Sequence, residues 1–146
     1  MMPVMYNNNY QIVQTPDHIM ILVEMAHDAR IIPMNAQHAA AYPKWMGDSI
    51  GRWEGDTLII ETDHYNQGVL NQFVEVAGEP MRGLLHSNAL RTVERITFDA
   101  AANRFNLVIE HYDPVFFTQD FPISEALYAP SDLEIKPFGC IPEQLK

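Results

Sequence analysis

The chain has 146 residues, close to the commonest size of a single domain, and its 47% hydrophobic against 19% charged content is a globular composition that excludes a mainly disordered or collagen-like chain. A formal charge of −10, with only nine Lys and Arg, opposes attraction to a nucleic-acid backbone or an anionic membrane, so neither is expected as a partner. The single cysteine, Cys140, excludes an intramolecular disulfide and a Cys-rich metal centre, and it fits a reducing compartment.

Met1 to Gln14 carries neither a basic n-region nor an apolar h-region, and no run nears the roughly 18 apolar residues of a membrane span, so the expected location is cytoplasmic. The expected organisation is one β-barrel-like domain over residues 1–146, with 1–9 as a loose lead-in and 128–146 as an irregular tail.

Tyr10 to Gln14 reads as a short strand, followed by a turn at Thr15, Pro16 and Asp17. His18 to Ala26 has the length of a helix. Its β-branched content and the Ile31, Ile32, Pro33 ending favour instead two paired strands turning near Asp28. Pro33 to Gly47 lacks a period and reads as a long ordered connection. Ile50 to Trp53 and Thr57 to Thr62, joined through Gly55, form the clearest hairpin signal. Asp63 to Ser87, punctuated by Gly and Pro, reads as a lid or binding segment. Leu90 to Phe98 and Phe105 to Tyr112 predict a second hairpin, and Phe116 to Leu127 one or two further strands interrupted by Pro122. Successive antiparallel hairpins predict an all-β fold, a small antiparallel up-and-down barrel or strongly curved, lipocalin-like meander sheet.

Alternation decides which polar residues enter the core, because side chains two apart share a face. Glu94 shares a face with Leu90, Thr92, Ile96 and Phe98. His111 and Asp113 continue the face of Phe105, Leu107 and Ile109. His27 extends the stripe of Ile19, Ile21 and Val23, with Arg30 within reach of the turn, and Glu61 is left undecided between faces. A buried carboxylate near a histidine is a workable acid/base pair, whereas Glu94 paired with Arg30 or Arg52 would instead be an internal salt bridge. There is no phosphate loop, GxSxG elbow, HExxH or CxxC, and six scattered histidines give no strong metal pattern, so neither cofactor nor metal is expected.

The stretch Trp45, Met46, Gly47, Asp48, Ser49, Ile50, Gly51, Arg52, Trp53, Glu54, Gly55, Asp56, Thr57, Leu58 resembles a motif of a group of bacterial proteins of unknown function, approximately W-M-G-D-S-x-G-x-W-E-G-D-T-L. The resemblance extends to Gln14–Pro16, Glu24–Arg30, Val93–Arg95 and Asp113–Pro114. Members are often longer and exported. They often end in Cys-His-Glu-Gly-Asn, where this chain has Cys140, Ile141, Pro142 and Glu143. The resemblance supports His27, Arg30, Asp48, Arg52, Glu94 and Asp113 as site residues and implies no substrate.

The leading expectation is a small cofactor-free enzyme that binds an apolar or aromatic metabolite and performs isomerisation, dehydration or cyclisation. Glu94, Asp113, His27 and His111 would move protons, and Arg30 or Arg52 would steady an oxyanion. Trp45, Asp48, Trp53 and Tyr112 are the candidate substrate contacts. The alternatives are a lipocalin-like carrier using the same pocket, and an interaction domain with structural interior charges and Phe116, Phe117 and Phe121 at its surface. Association into a homodimer is left open.

Overall fold

The computed structural model describes residues 9–24, 27–39, 41–71, 84–118 and 121–136, with the backbone alone at 69–71, 84 and 121–126. Among these residues the chain is all β, with strands β1 (Tyr10–Gln14), β2 (His18–Val23), β3 (Ala29–Pro33), β4 (Asp48–Glu54), β5 (Thr57–Asp63), β6 (Gly68–Asn71), β7 (Leu84–His86), β8 (Arg91–Asp99), β9 (Arg104–Tyr112) and β10 (Phe121–Tyr128). They form a three-stranded sheet, β1-β2-β3, a five-stranded sheet, β10-β9-β8-β5-β4, and the pair β6-β7, with every named strand pair antiparallel. No helix among the described residues is long and apolar enough to cross a membrane.

The turns follow from their residues. Glu54 pairs with Thr57 across Gly55 and Asp56, and Gly55 takes φ +60, the left-handed conformation that a two-residue hairpin turn requires and that glycine adopts without a steric cost. In the β8–β9 hairpin the Asp99 carboxylate accepts from the amides of Ala101 and Ala102, each at 3.0 Å, and Asn103 takes φ 48. Both hairpins occupy the places that the sequence predicts, as do β1 and the β2–β3 pair.

The two larger sheets bury their alternating faces against each other. Ile19 and Ile32 from the small sheet meet Leu58 and Ile60 from the large one, with Ile21, Met34 and Ile96 packed around them. Full burial of each such side chain stabilises by about 1.5–3 kcal/mol. On the large sheet the strand register aligns rows that run across the strands. Ser49, Thr62, Thr92 and His111 make one inner row, and Ile60, Glu94 and Ile109 the next.

Backbone pairing does not close this arrangement into the expected barrel. At one margin, Met34 and Gly51 make a single parallel bridge between the end of β3 and β4, and the Asn35 amide donates to the Gly51 carbonyl at 2.7 Å. The pairing then stops, because Pro33 lacks an N–H and Asn35, at φ 53, turns the chain away. At the other margin, Tyr10 of β1 meets Tyr128 of β10 edge to face at 5.3 Å between ring centroids, and no strand pairing joins the two among the described residues. The fold is therefore two facing antiparallel sheets that touch along both margins.

Two expected elements also differ. Residues 114–116 form a turn, not the start of a strand, because the Asp113 carboxylate accepts from the Val115 amide and the Asp113 carbonyl from that of Phe117. Of the expected lid over Asp63 to Ser87, the two ends form the β6-β7 pair, and 72–83 lie outside the described residues, as do 1–8 of the lead-in and Cys140. Asn9 is tied to Glu24 through its side-chain amide, at 2.7 Å, and its carbonyl. Residues 129–136 are irregular, as the tail expectation has it.

Candidate functional site, a cavity floored by Arg30 and Glu94

Glu94 lies in the middle of β8 on the inner face and is 4% exposed. Arg30, on β3 of the facing sheet, is 8% exposed and places Nη1 at 2.7 Å from Glu94 Oε1. Its Nε donates to Ser49 Oγ at 2.9 Å and its Nη2 to Thr62 Oγ1 at 3.0 Å, and these two hydroxyls lie 2.9 Å apart. One planar guanidinium is thus held by groups from three strands of the opposite sheet, a use of its fork-like donors that a lysine would not reproduce. Burial penalises the Glu94 charge, but Arg30 outweighs it and holds the carboxyl below its ordinary range.

Above this ion pair the sheets part around a cavity of about 550 Å³. Ile12, Ile21, Leu58, Ile96 and Leu107 supply apolar walls, Phe98, Phe105 and Trp53 aromatic ones, and Tyr10 and Tyr128 stand at the β1–β10 margin. Burial, with the neighbouring Tyr128, raises the Tyr10 pKa, so its phenol is neutral across the physiological range. The volume falls within the range typical of small-molecule sites.

Two further predicted residues are buried near the end of β9 and just past it. His111 is 2% exposed and shares the Thr92 row, and burial lowers its pKa from 6.5 to about 4, which keeps it neutral at pH 7. Asp113 accepts hydrogen bonds from the Ser87 amide at 2.6 Å, the Ser87 hydroxyl at 2.9 Å and the Val115 amide at 3.0 Å. Burial opposes its charge, yet these donors hold its pKa below the ordinary value. Its oxygens fasten the start of the β7–β8 connection to the end of β9 and are thereby committed to backbone anchoring.

The other predicted residues lie elsewhere. His27 is exposed in the β2–β3 turn at φ 53. The alternation that would carry it inward ends at Val23, whose amide donates to the Asp28 carbonyl at 2.9 Å and closes the turn. Arg52 points to the outer face, opposite Glu94, where it pairs with Glu54 and Glu61 and is 43% exposed. This also settles Glu61, which faces outward with it.

Of the candidate substrate contacts, Trp53 alone lines the cavity. Trp45 is 82% exposed. Tyr112 carries the Arg91 guanidinium 4.4 Å above its ring in a separate open groove of about 450 Å³, shared with Asp63 and His64. Asp48 accepts from the Ala39 amide at 3.0 Å and pairs with Lys44 at 2.8 Å. Of the expected partner surface, Phe116 is 43% exposed, and the Phe121 side chain lies outside the described residues.

Sequence reasoning missed Ser49 and Thr62 as guanidinium acceptors, although alternation places Thr62 with Leu58 and Ile60 on the inner face. It missed Tyr10 and Tyr128 altogether, because nothing local signals that the first and last described strands meet. Comparison of the chain with protein-family models, with curated proteins and with solved structures gives no match.

Proposed function

We propose that this chain is a small-molecule-binding β domain whose inter-sheet cavity takes a compact, mainly apolar or aromatic ligand with one polar end. The observation that carries this reading is a cavity with mainly apolar and aromatic walls onto which the buried Arg30–Glu94 pair opens, with Asn9, Gln14, Asp56 and Ser131 as further polar groups on its lining. Apolar surface supplies affinity there, and a few placed polar groups fix orientation. A hydroxyl or carbonyl of the ligand would share the Glu94 or Arg30 atoms that face the cavity. The single cysteine keeps a reducing compartment, and so the cytoplasm, as the proposed setting.

The expected acid/base enzyme is the second reading, favoured by the Glu94 carboxylate on the cavity wall. Its proton-moving partners count against it: Asp113 is saturated by backbone and hydroxyl donors, Glu94 is matched to Arg30, and His27 is in an exposed turn. Recovery of a bound ligand chemically unchanged after incubation supports binding, and its isomerised, dehydrated or cyclised product supports catalysis.

The binding reading is tested with N-phenyl-1-naphthylamine, a neutral probe that fluoresces in apolar surroundings. Saturable enhancement is expected with the unmodified chain, and its loss with Leu107→Trp, which fills the cavity from β9. Retained binding in a folded Leu107→Trp protein would place the probe elsewhere and contradict the proposal.

A further inference from the structure

On the far side of β4 and β5 from the cavity, a second polar cluster takes no part in ligand binding as proposed. Its ligand atoms come from three stretches: His38 in the connection after β3, Asp48 at the start of β4, and Asp63 at the end of β5. Asp48 and Asp63 are cross-strand partners in the β4–β5 register, which sets their carboxylates side by side on one face. His38 reaches over them with Nδ1 at 3.0 Å from Asp63 Oδ1 and 3.6 Å from Asp48 Oδ2.

Three features distinguish this cluster from a solvated acidic patch. The donor atoms of His38, Asp48 and Asp63 all lie within 4.8 Å of one another. Ligands about 2.0–2.2 Å from one small cation stand roughly 3–3.6 Å apart, which is the spacing seen between His38 and the two carboxylates. Finally, His38 Nδ1 is shielded from water and makes no hydrogen bond of acceptable geometry, although a carboxylate oxygen lies 3.0 Å away. A shielded ring nitrogen within 3.6 Å of two carboxylates and hydrogen-bonded to neither is placed as a metal ligand would be.

The surroundings hold the set in position. The Ala39 amide and Lys44 fix Asp48, and His64 Nδ1 sits 2.6 Å from Asp63 Oδ1, orienting that carboxylate in the way an outer-shell group does. Lys44 competes for charge only at Asp48 Oδ1, the oxygen turned from His38, which contacts Oδ2. Gly47, at φ +69, permits the approach, since a Cβ there would stand 2.5 Å from Thr62 Cγ2 and 2.7 Å from the Asp63 carbonyl oxygen.

We propose that His38, Asp48 and Asp63 form a binding site for a divalent transition-metal ion, with His64 as a positioning residue. One imidazole with two carboxylates suits zinc or manganese and leaves coordination positions for water. Asp63 and His64 also border the groove that holds Arg91 and Tyr112, so a bound ion would sit at its rim.

The test is calorimetric titration of the chelator-stripped full chain with Zn²⁺. One site per chain is expected, lost in His38→Gln and in Asp63→Asn, weakened about tenfold in His64→Gln, and unchanged in His27→Gln, a histidine remote from the cluster in sequence and exposed. Mn²⁺ gives a readout independent of those substitutions: in the unmodified protein it should broaden the ring-proton resonances of His38 and His64 and leave those of His27 sharp. Absence of a stoichiometric site, a site that survives His38→Gln, or uniform broadening of all histidines would overturn the proposal and leave the cluster as an ion-pair network.

Discussion

At the scale of single residues, Arg30 and Glu94 form a buried ion pair that joins the two sheets. Removing one partner leaves a buried charge uncompensated, which costs about 3–5 kcal/mol, whereas replacing both with apolar side chains of similar volume is often neutral. We therefore expect Glu94→Gln and Arg30→Met each to lower unfolding stability markedly in urea titrations, and Arg30→Met/Glu94→Leu to recover much of the loss. Additive losses would show that the pair is not coupled. His111 gives a second expectation, from pH. Its pKa is about 4 when folded against an ordinary 6.5, so between these values the unfolded chain binds more protons. Stability is then fully present above pH 6.5 and declines as the pH falls towards about 4, by roughly 3 kcal/mol in total from this group. Glu94 and Asp113, with lowered pKa values, add their own losses below their ordinary range. Urea titrations from pH 7 to 4 should show the slope, and His111→Gln should flatten it over that window.

At the scale of elements, strand alternation made much of the site legible. Glu94, His111 and Asp113 are inward where the count along β8 and β9 puts them, and Arg30 is the internal partner that the sequence offered as one choice for Glu94. The count failed where strands end: His27 falls four residues past β2, inside a turn set by the Val23–Asp28 hydrogen bond. Arg52 failed for another reason, because a motif resemblance does not say which face of β4 a residue takes. The seam between β3 and β4 could not be read at all, since it depends on one glycine where two sheets meet. A Cβ at Gly51 would lie 2.8 Å from Met34 Sδ and 3.0 Å from Ile32 Cγ2. Gly51→Val should thus force the seam apart and cost about 1–3 kcal/mol. Faster hydrogen exchange at the Asn35 amide, which bonds to Gly51, would report the opening; protection equal to the unmodified chain would show that the seam yields without strain.

At the scale of the whole molecule, the all-β class was legible and closure was not. Hairpins are local, and their turns announce themselves in Gly55, Asp99 and Asn103. Whether eight strands join into a barrel depends on how the first and last strands meet, which is here a contact between Tyr10 and Tyr128 and no strand pairing among the described residues. The same geometry leaves the sheets apart above Arg30 and Glu94, and so creates the cavity on which the proposed function rests. The scattered ligands of the proposed cation site, at 38, 48 and 63, were hidden for the same reason: the β4–β5 register pairs Asp48 with Asp63, and the connection after β3 brings His38 to them.

The most direct measurement of the central claim is a methyl-resolved NMR titration of the full chain with N-phenyl-1-naphthylamine. Binding between the sheets predicts that the largest shifts fall on Ile12, Ile21, Leu58, Ile96 and Leu107, with Ile31 and Val115, which are more than half exposed and off the cavity lining, little changed. Shifts confined to exposed methyl groups, or no saturable shifts at all, would contradict a ligand-binding cavity at this place.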